Sequence, residues 1–488
     1  MKPTIALSTV ALLAACTVGP DYHRPPAPVP AAYKERGWKA ATPEDTTSRG
    51  PWWSIYNDPV LDGLERQVDV SNQNLKASEA AYRQARAVVA EGEAGLFPTL
   101  TVTGAGTHSG QGGGGPTITS TGGTFSTSRS NSTISLTADA SWSVDLWGRI
   151  RRTVESDVAN AQASAADLAN ARLSAQGQLA TLYFELRAAD EQKRLLDASV
   201  EAFTQSLQMT RNQYTVGVAA PTDVVTAETQ LEQTRSQAIA VGVQRAQFEH
   251  AIATLIGKPA SDFSLAVAPM PSGVPIEPPG VPSALLERRP DIAAAERLMA
   301  SSNAQIGVAV AAFYPDLTLT GSYGFASSGL SKLFRASNSL WSVGGQVVQT
   351  VFDAGLHTAQ LDAAKAAYDQ SVATYRQTVL TAFQQVEDEL AALGILARQA
   401  EVQANTVRLA REAERLTLNQ YRQGTVAYTA VITAQTTRLS NEETALTIQQ
   451  SRLLASVALI EALGGGWSAQ QLPAATEVKA TGPSLFAP

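Results

Sequence analysis

Two hydrophobic rhythms divide this chain. In the first, apolar residues alternate with small polar ones. Leu100, Val102 and Gly104 alternate with Thr101 and Thr103, and Ile134, Leu136, Ala138 and Ala140 alternate with Ser135, Thr137 and Asp139. Alternation puts successive side chains on opposite faces of a strand. It predicts strands at about 97–106 and 133–145, with a second pair at about 314–325 and 341–352. Such segments, about ten residues long, are the signature of a membrane barrel strand. In the second rhythm, Val154, Val158, Ala161, Ala165, Leu168, Arg172, Ala175, Leu179, Leu182 and Leu186 step by four and three, with Arg172 the one break in the apolar seam. Tyr368, Val372, Tyr375, Val379, Ala382 and Val386 keep the same register. A sustained seven-residue spacing predicts coiled-coil packing.

Breakers set the lengths. From Arg149 to Tyr214 the chain holds no proline and a single glycine, Gly177. About 65–70 helical residues at 1.5 Å each span roughly 100 Å. Gly217, and later Gly424, end these helices, as glycine does at a helix C-terminus. Returning helices are predicted over about 222–256 and 429–463, each covering only about 50 Å. The rest of the distance matches shorter helices at 60–95 and 283–312, the first stopped by Pro98. One long helix packed on two shorter ones stacked end to end, capped by two strands, is thus predicted twice.

The sequence itself repeats. The segment from Asn74 to Gly104 matches Asp291 to Gly321 at a shift of 217 residues. Tyr214, Gly217 and Val224–Ala227 match Tyr421, Gly424 and Val431–Ala434 at a shift of 207, as Leu255–Gly257 matches Ala462–Gly464. This long duplication differs from a short solenoid repeat. It divides the chain into a first repeat at 60–268, a Pro-rich linker at 269–282 and a second repeat at 283–466. A leader at 16–59 and a tail at 467–488 flank them as equatorial segments. Four strands cannot close a membrane barrel, and open edges are not tolerated in lipid. Three copies would supply twelve strands.

Composition narrows the chemistry. The net charge is −7, which leaves no nucleic-acid footprint. After the first residues there is no apolar run of about 18 residues, so no transmembrane helix is expected. The one cysteine, Cys16, follows Leu13-Ala14-Ala15 at the end of a short apolar run. Residues 1–15 therefore read as a signal peptide of the lipoprotein type, with Cys16 the lipidated first residue. Thr17 rather than aspartate follows it, so no inner-membrane retention signal is present. Gly104–Ser132, which includes Gly112–Gly115, is predicted as a flexible extracellular loop, because no Gly-Lys-Ser/Thr follows to make a phosphate loop. The four histidines show no ligand spacing and the four methionines no cluster. No metal, cofactor or catalytic set is expected.

Several motifs are familiar. Cys16 followed by Gly19-Pro20-Asp21-Tyr22-His23-Arg24-Pro25, then Trp52-Trp53, Asp58-Pro59 and Leu61, resembles the opening of outer-membrane efflux lipoproteins. Leu286-Glu287-Arg288-Arg289-Pro290-Asp291-Ile292 with Glu296 resembles the start of that family's second repeat, and Asp145-Leu146-Trp147-Gly148 and Phe352-Asp353-Ala354-Gly355 resemble its strand-to-helix joints. The resemblance, over nearly the whole chain, is to the TolC family, in its OprM/NodT-like lipoprotein branch. It implies a homotrimer in the Gram-negative outer membrane, with a twelve-stranded β-barrel continuous with a twelve-helix periplasmic α-barrel and a mixed equatorial belt. It also implies a passive exit duct for drugs or other small toxic compounds. The implied partners are a periplasmic adaptor and an inner-membrane pump of the resistance-nodulation-division class. A duct for type I protein secretion and a structural coiled-coil lipoprotein are the alternatives.

The tunnel must close at its periplasmic end, so the helix tips are the expected gate. The family's tip arginine matches Arg422. Its constricting aspartate falls on Thr433 and its apolar constriction on Thr429, so this chain departs from an anionic ring. Threonine hydrogen-bonds but carries no fixed charge, which predicts a gate only weakly selective for cations. Val216, Gly217 and Val218, with Gly424, Thr425 and Val426, are the expected adaptor-docking tips, or simply turns. Asp223 either faces the adaptor or caps the returning helix.

Overall fold

The computed structural model describes residues 17–30, 33–34, 51–111, 117–118, 124–125, 129–275 and 285–479. Besides the short helical turns Leu285–Arg288 and Ala475–Lys479, the helices among the described residues are α1 (Pro59–Ser71), α2 (Gln73–Ala94), α3 (Arg149–Thr215), α4 (Pro221–Leu255), α5 (Pro290–Ala311), α6 (Leu356–Arg422) and α7 (Tyr428–Ala462). Helices α3 and α6 are each 67 residues long, and α4 and α7 are each 35. Helix α3 lies along α2 and α5 in its first half and along α4 and α7 in its second, and α6 packs on α5 and then α7. Across the molecule the order is α2–α3–α5–α6 near the strands and α4–α3–α7–α6 near the tips.

Three of the helical expectations need correction. The segment 60–95 is broken at Asn72, which caps α2 by accepting from the N–H groups of Asn74 and Leu75 at 2.9 and 3.1 Å. Its side-chain amide also donates to Leu255 O at 2.9 Å, which ties the break to the end of α4. The segment 283–312 is likewise interrupted at Arg289, whose buried guanidinium donates to Ala462 O at 3.0 Å and Gln385 at 2.8 Å. The single seam of α3 also fails in the middle. Arg172 is exposed and faces Asp69 at 3.4 Å, while Leu173, Gln176 and Ala180 are buried instead. Helices on more than one side of α3 make its buried surface wider than a two-helix seam.

The strands β1 (Thr99–Gln111), β2 (Arg129–Val144), β3 (Asp316–Ser327) and β4 (Ser339–Val348) form one antiparallel sheet in that order. Directly paired residues share a face. One face carries Leu100 and Val102, then Leu136, Ala138, Ala140 and Trp142, then Leu319, Tyr323 and Phe325, then Val347, Val343 and Trp341. The other carries Thr99, Thr101 and Thr103, then Ser141, Asp139 and Thr137, then Thr318, Thr320 and Ser322, then Gln346 and Ser342. The predicted loop Gly104–Ser132 is partly strand, since pairing runs on from Gly104 opposite Leu136 to Gln111 opposite Arg129. Hydroxyl-rich positions still join the backbone ladder where alternation fades. Gly112–Gly115 lies outside the described residues. At the other hairpin Tyr314 and Pro315 precede the sheet and residues 349–352 have left it.

A belt surrounds the middle of the helices. Buried Trp52, Trp53, Leu61, Leu179, Phe184, Ile252 and Leu453 form its core. The chain after α4 crosses this belt as an extended strap. Arg187 donates to Ala266 O at 2.8 Å, Arg245 to Leu265 O at 2.7 Å, and Asp190 accepts from Ala268 N–H at 3.2 Å while binding both arginines. The leader runs from the sheet toward the belt. Val18 N–H donates to Trp147 O at 3.0 Å, Asn303 donates to Pro20 O at 3.0 Å, and Arg24 donates to the Tyr375 hydroxyl at 2.9 Å.

One belt residue lacks compensation. Glu65 is 0% exposed and neither carboxyl oxygen has a hydrogen-bond partner. Burial, with Asp69 and Glu461 adding to it, pushes its pKa up to about 9 from an ordinary 4.5. Burial also pushes Glu461 up to about 7, against the pull of Arg289 and with Glu389 adding. A carboxyl raised on folding removes stability as pH climbs, starting at its unfolded value and finishing at its folded one. Stability should therefore fall between pH 4.5 and about 9, with Glu461 contributing up to about 7. Glu65→Gln should flatten that fall in the thermal midpoint of the detergent-solubilised protein, whatever it does to the midpoint itself. An unchanged slope would mean that Glu65 does not stay protonated in the folded chain.

Candidate functional site: the two helix tips

The first tip turns between α3 and α4. Gly217 adopts φ +78°, which a side chain would disfavour. Its N–H donates to Tyr214 O, and that of Val218 reaches Gln213 O, both at 2.9 Å, closing the last carbonyls of α3. Val216 and Val218 are left exposed. Pro221 starts α4, where a missing N–H costs nothing. The Asp223 carboxylate accepts from Ala220 N–H at 3.3 Å, which is the capping geometry.

The second tip turns between α6 and α7 in the same way. Gly424 adopts φ +72°, and Thr425 donates to Gln420 O through both its N–H and its hydroxyl at 3.0 Å. Its packing differs. Tyr421 and Tyr428 are buried with ring centroids 5.4 Å apart, and the Tyr421 hydroxyl donates to Thr210 Oγ1 at 3.2 Å. Burial, with Tyr421 alongside, pushes the Tyr428 phenol up to about 12. Tyr214 holds the repeat position of Tyr421 but is exposed. The tyrosine pair is not legible in the sequence, because nothing in the repeat says which tip is covered. Val426 packs half-buried on the same cluster, with Leu207, Leu231 and Val431.

Arg422, Thr429 and Thr433 are all exposed. Among the described residues Arg422 makes no ion pair. The Thr433 hydroxyl donates back to Thr429 O at 2.9 Å, so it is already engaged with its own helix. Thr429 and Thr433 begin a longer exposed line on α7, continued by Thr437, Ser440, Thr444 and Thr447 at steps of three and four. Only Thr429 and Thr433 of this line are expected from the sequence. Charge sits between the helices instead, with Arg211 on Glu228 in the first hairpin at 2.5 Å and Arg411 on Glu442 in the second at 2.6 Å.

Other expected features are spread out. Cys16 and the signal peptide 1–15 lie outside the described residues, as do 276–282 of the linker and 480–488 of the tail. Thr17, next to Cys16, rests on Gly148 at the joint between β2 and α3. At that joint Asp145 accepts from the N–H groups of Ile150 and Arg151 at 3.1 and 3.0 Å. Asp353 caps α6 similarly, through Gly355 and His357 at 2.9 and 2.8 Å. These bonds hold its carboxyl down at about 2. Among the described residues no cluster of three or more His, Cys, Asp or Glu is arranged to hold a metal, and no helix is long and apolar enough to cross a membrane.

The sequence matches the family described as Outer membrane efflux protein over residues 64–258 and 281–465. It is 29% identical over 487 residues to the toluene efflux pump outer membrane protein TtgC of Pseudomonas putida, covering 96% of each chain. It is 32% identical to nodulation protein T of Rhizobium leguminosarum bv. trifolii, covering 85% of this chain and 86% of that one. The solved outer-membrane channel OprN superposes with a TM-score of 0.84 at 30% identity, over 93% of this chain and 100% of OprN. With its mainly helical fold and its two-faced sheet, the chain belongs to the outer membrane efflux protein family and is an outer-membrane component of an efflux system.

Proposed function

We propose that three copies form a continuous duct through which small molecules leave the cell. The observation that carries this reading is the two-faced sheet with two open edges. Among the described residues, backbone groups on β1 and β4 have no partner strand on their outer sides, which lipid does not tolerate. Joining β4 of one copy to β1 of the next closes a head-to-tail ring. Three copies of a four-stranded sheet make twelve strands. The apolar face then meets lipid and the hydroxyl face lines water.

The helices support the same closure. On α6, Ile395, Val402, Leu409 and Leu416 recur every seven residues and are exposed, Val402 at 68%. On the opposite edge α4 exposes Val225, Ile239 and Val243, Ile239 at 76%. Two unpartnered apolar seams on opposite edges fit one another in a ring. Cys16 would be acylated where the leader meets the sheet, since Thr17 lies at that joint.

At the tips we assign the gate to Arg422, Thr429 and Thr433, with the hydroxyl line of α7 facing the passage. Val216, Gly217, Val218, Gly424, Thr425 and Val426 are the docking tips for a periplasmic adaptor. Asp223 shapes the first of them through its cap. The adaptor would join the duct to an inner-membrane pump of the resistance-nodulation-division class, which selects the cargo. TtgC is named for toluene efflux, which favours small organic compounds here.

Three measurements test this reading. Val402→Asp combined with Leu409→Asp should abolish assembly, read as loss of the trimer by native mass spectrometry; a trimer that persists would rule out this edge. The wild-type channel in planar bilayers should be blocked only weakly by a trivalent cation added at the tip side. Thr433→Asp should tighten that block about tenfold or more, by supplying a charge from each copy. Tight block of the wild type would refute an uncharged gate. Crosslinking in cells from Val218 or Thr425 should recover an adaptor with a proton-driven pump. Recovery of an ATP-driven transporter instead would point to protein secretion.

A further inference from the structure

The end of the sheet far from the helices carries a surface that the duct itself does not use. The β3–β4 loop is fixed by two short turns, Leu330–Lys332 and Ala336–Asn338, and by the Asn338 amide donating to Lys332 O at 2.6 Å. Leu333 is buried beneath it. Phe334 packs edge-on against Phe325, with centroids 5.5 Å apart, and Phe325 packs on Tyr323 at 5.8 Å. Phe325 and Tyr323 belong to the apolar face of the sheet. The loop therefore leans over the apolar face and away from the hydroxyl face.

What it presents there is mixed in character. Leu330 and Phe334 are 69% and 68% exposed, and Trp341, opposite Tyr323 in β4, is 74% exposed. Lys332 and Arg335 flank them, both exposed, and neither makes an ion pair among the described residues. The charge pattern is one-sided. No acidic residue occurs between Asp316 and Asp353, or between Glu93 and Asp139, although the chain as a whole carries −7. The other charged residue of these two outward segments is Arg129, also a cation.

Aromatic rings beside a band of apolar residues mark a membrane–water boundary. Cations just beyond such a boundary attract lipid phosphate. We propose that the β3–β4 loop is a binding site for the phosphorylated glycolipid of the outer leaflet. Lys332 and Arg335 take its phosphate groups, and Leu330 and Phe334 lie against its acyl chains. The missing carboxylates matter as much as the cations present. An acidic residue there would need a divalent cation to approach the same phosphates, whereas this rim meets them directly. Three copies would present six such cations around the outer rim. This inference rests on the reading of the sheet as a membrane wall.

The test uses the full chain reconstituted in phosphatidylethanolamine vesicles containing either bis-phosphorylated lipid A or its dephosphorylated counterpart. Retained glycolipid is measured by native mass spectrometry and conductance by bilayer recording. Wild type should retain the phosphorylated form preferentially. Lys332→Gln with Arg335→Gln should weaken that retention about fivefold for each cation removed. The matched pair Lys76→Gln and Arg83→Gln, exposed on α2, should leave it unchanged. Equal retention of both glycolipids by a conducting wild-type channel would overturn the site alone, as would equal losses in the two double variants. A chain that neither inserts nor conducts would overturn the barrel reading itself.

Discussion

A helix of 67 residues carries a stripe roughly 100 Å long that must be covered along its whole length. Much of this structure follows from that requirement. No single return helix matches it, because each return must stop at the belt to let the chain cross. The cover is therefore made in two pieces. Helix α4, at 35 residues, and the 22-residue α2 divide one side of α3. Helices α7 and α5, of the same two lengths, divide the other side and cover α6 as well. Where two pieces meet end to end, backbone groups at both ends need partners. Asn72 supplies them at one junction and Arg289 at the other. The belt exists because the covering helices have ends.

Those junctions explain where the buried charge lies. Arg187, Asp190 and Arg245 are held between α3, α4 and the strap, and three backbone groups of the strap hydrogen-bond to them, while Arg187 Nε has no partner. A buried charge set of this kind contributes little net stability, but breaking it is costly. It fixes register instead, setting one extended segment against two helices that could otherwise slide. Gly177 serves the same junction by its lack of a side chain. The Glu461 carboxyl of α7 lies where a Cβ on Gly177 would sit, so the only glycine of α3 makes room for a side chain of the second repeat. Glu65 sits in the same neighbourhood without a partner. On the strap side Arg187 lacks a partner at one nitrogen, whereas on the side facing α7 both oxygens of Glu65 lack one.

The regular parts of this fold were legible in the sequence, because period alone specifies them. Strict alternation located the strands, and the four-and-three step with its glycine stops located the long helices and their returns. Legibility failed where two structures share a period. Residues 60–95 keep a helical pattern straight through Asn72, since a capping side chain can restart a helix without changing which face is apolar. The first hairpin outran its predicted end because serine and threonine pair in strands without marking a buried face. At the tips, exposed Thr429 and Thr433 were readable as polar positions, but their neighbours were not. Tyr214 and Tyr421 match in sequence and differ only in what covers them.

That difference shows what duplication left free to change. Both repeats keep the same turn, with a left-handed glycine closing a 67-residue helix. A turn tolerates wide variation around it, because its geometry is satisfied by its own backbone. The first tip spends no buried side chains on itself and leaves two valines exposed. The second is pinned by two tyrosines to Thr210 of the first hairpin, and by Gln435 to Ser206 at 2.9 Å. Any swing of α6 and α7 at the tip away from α3 must therefore break these buried contacts. If the passage opens at this end, the tyrosine pair and Gln435 oppose the motion. In the proposed ring, the exposed Arg422, which makes no ion pair among the described residues, is the charged side chain at that tip placed to meet a neighbouring copy.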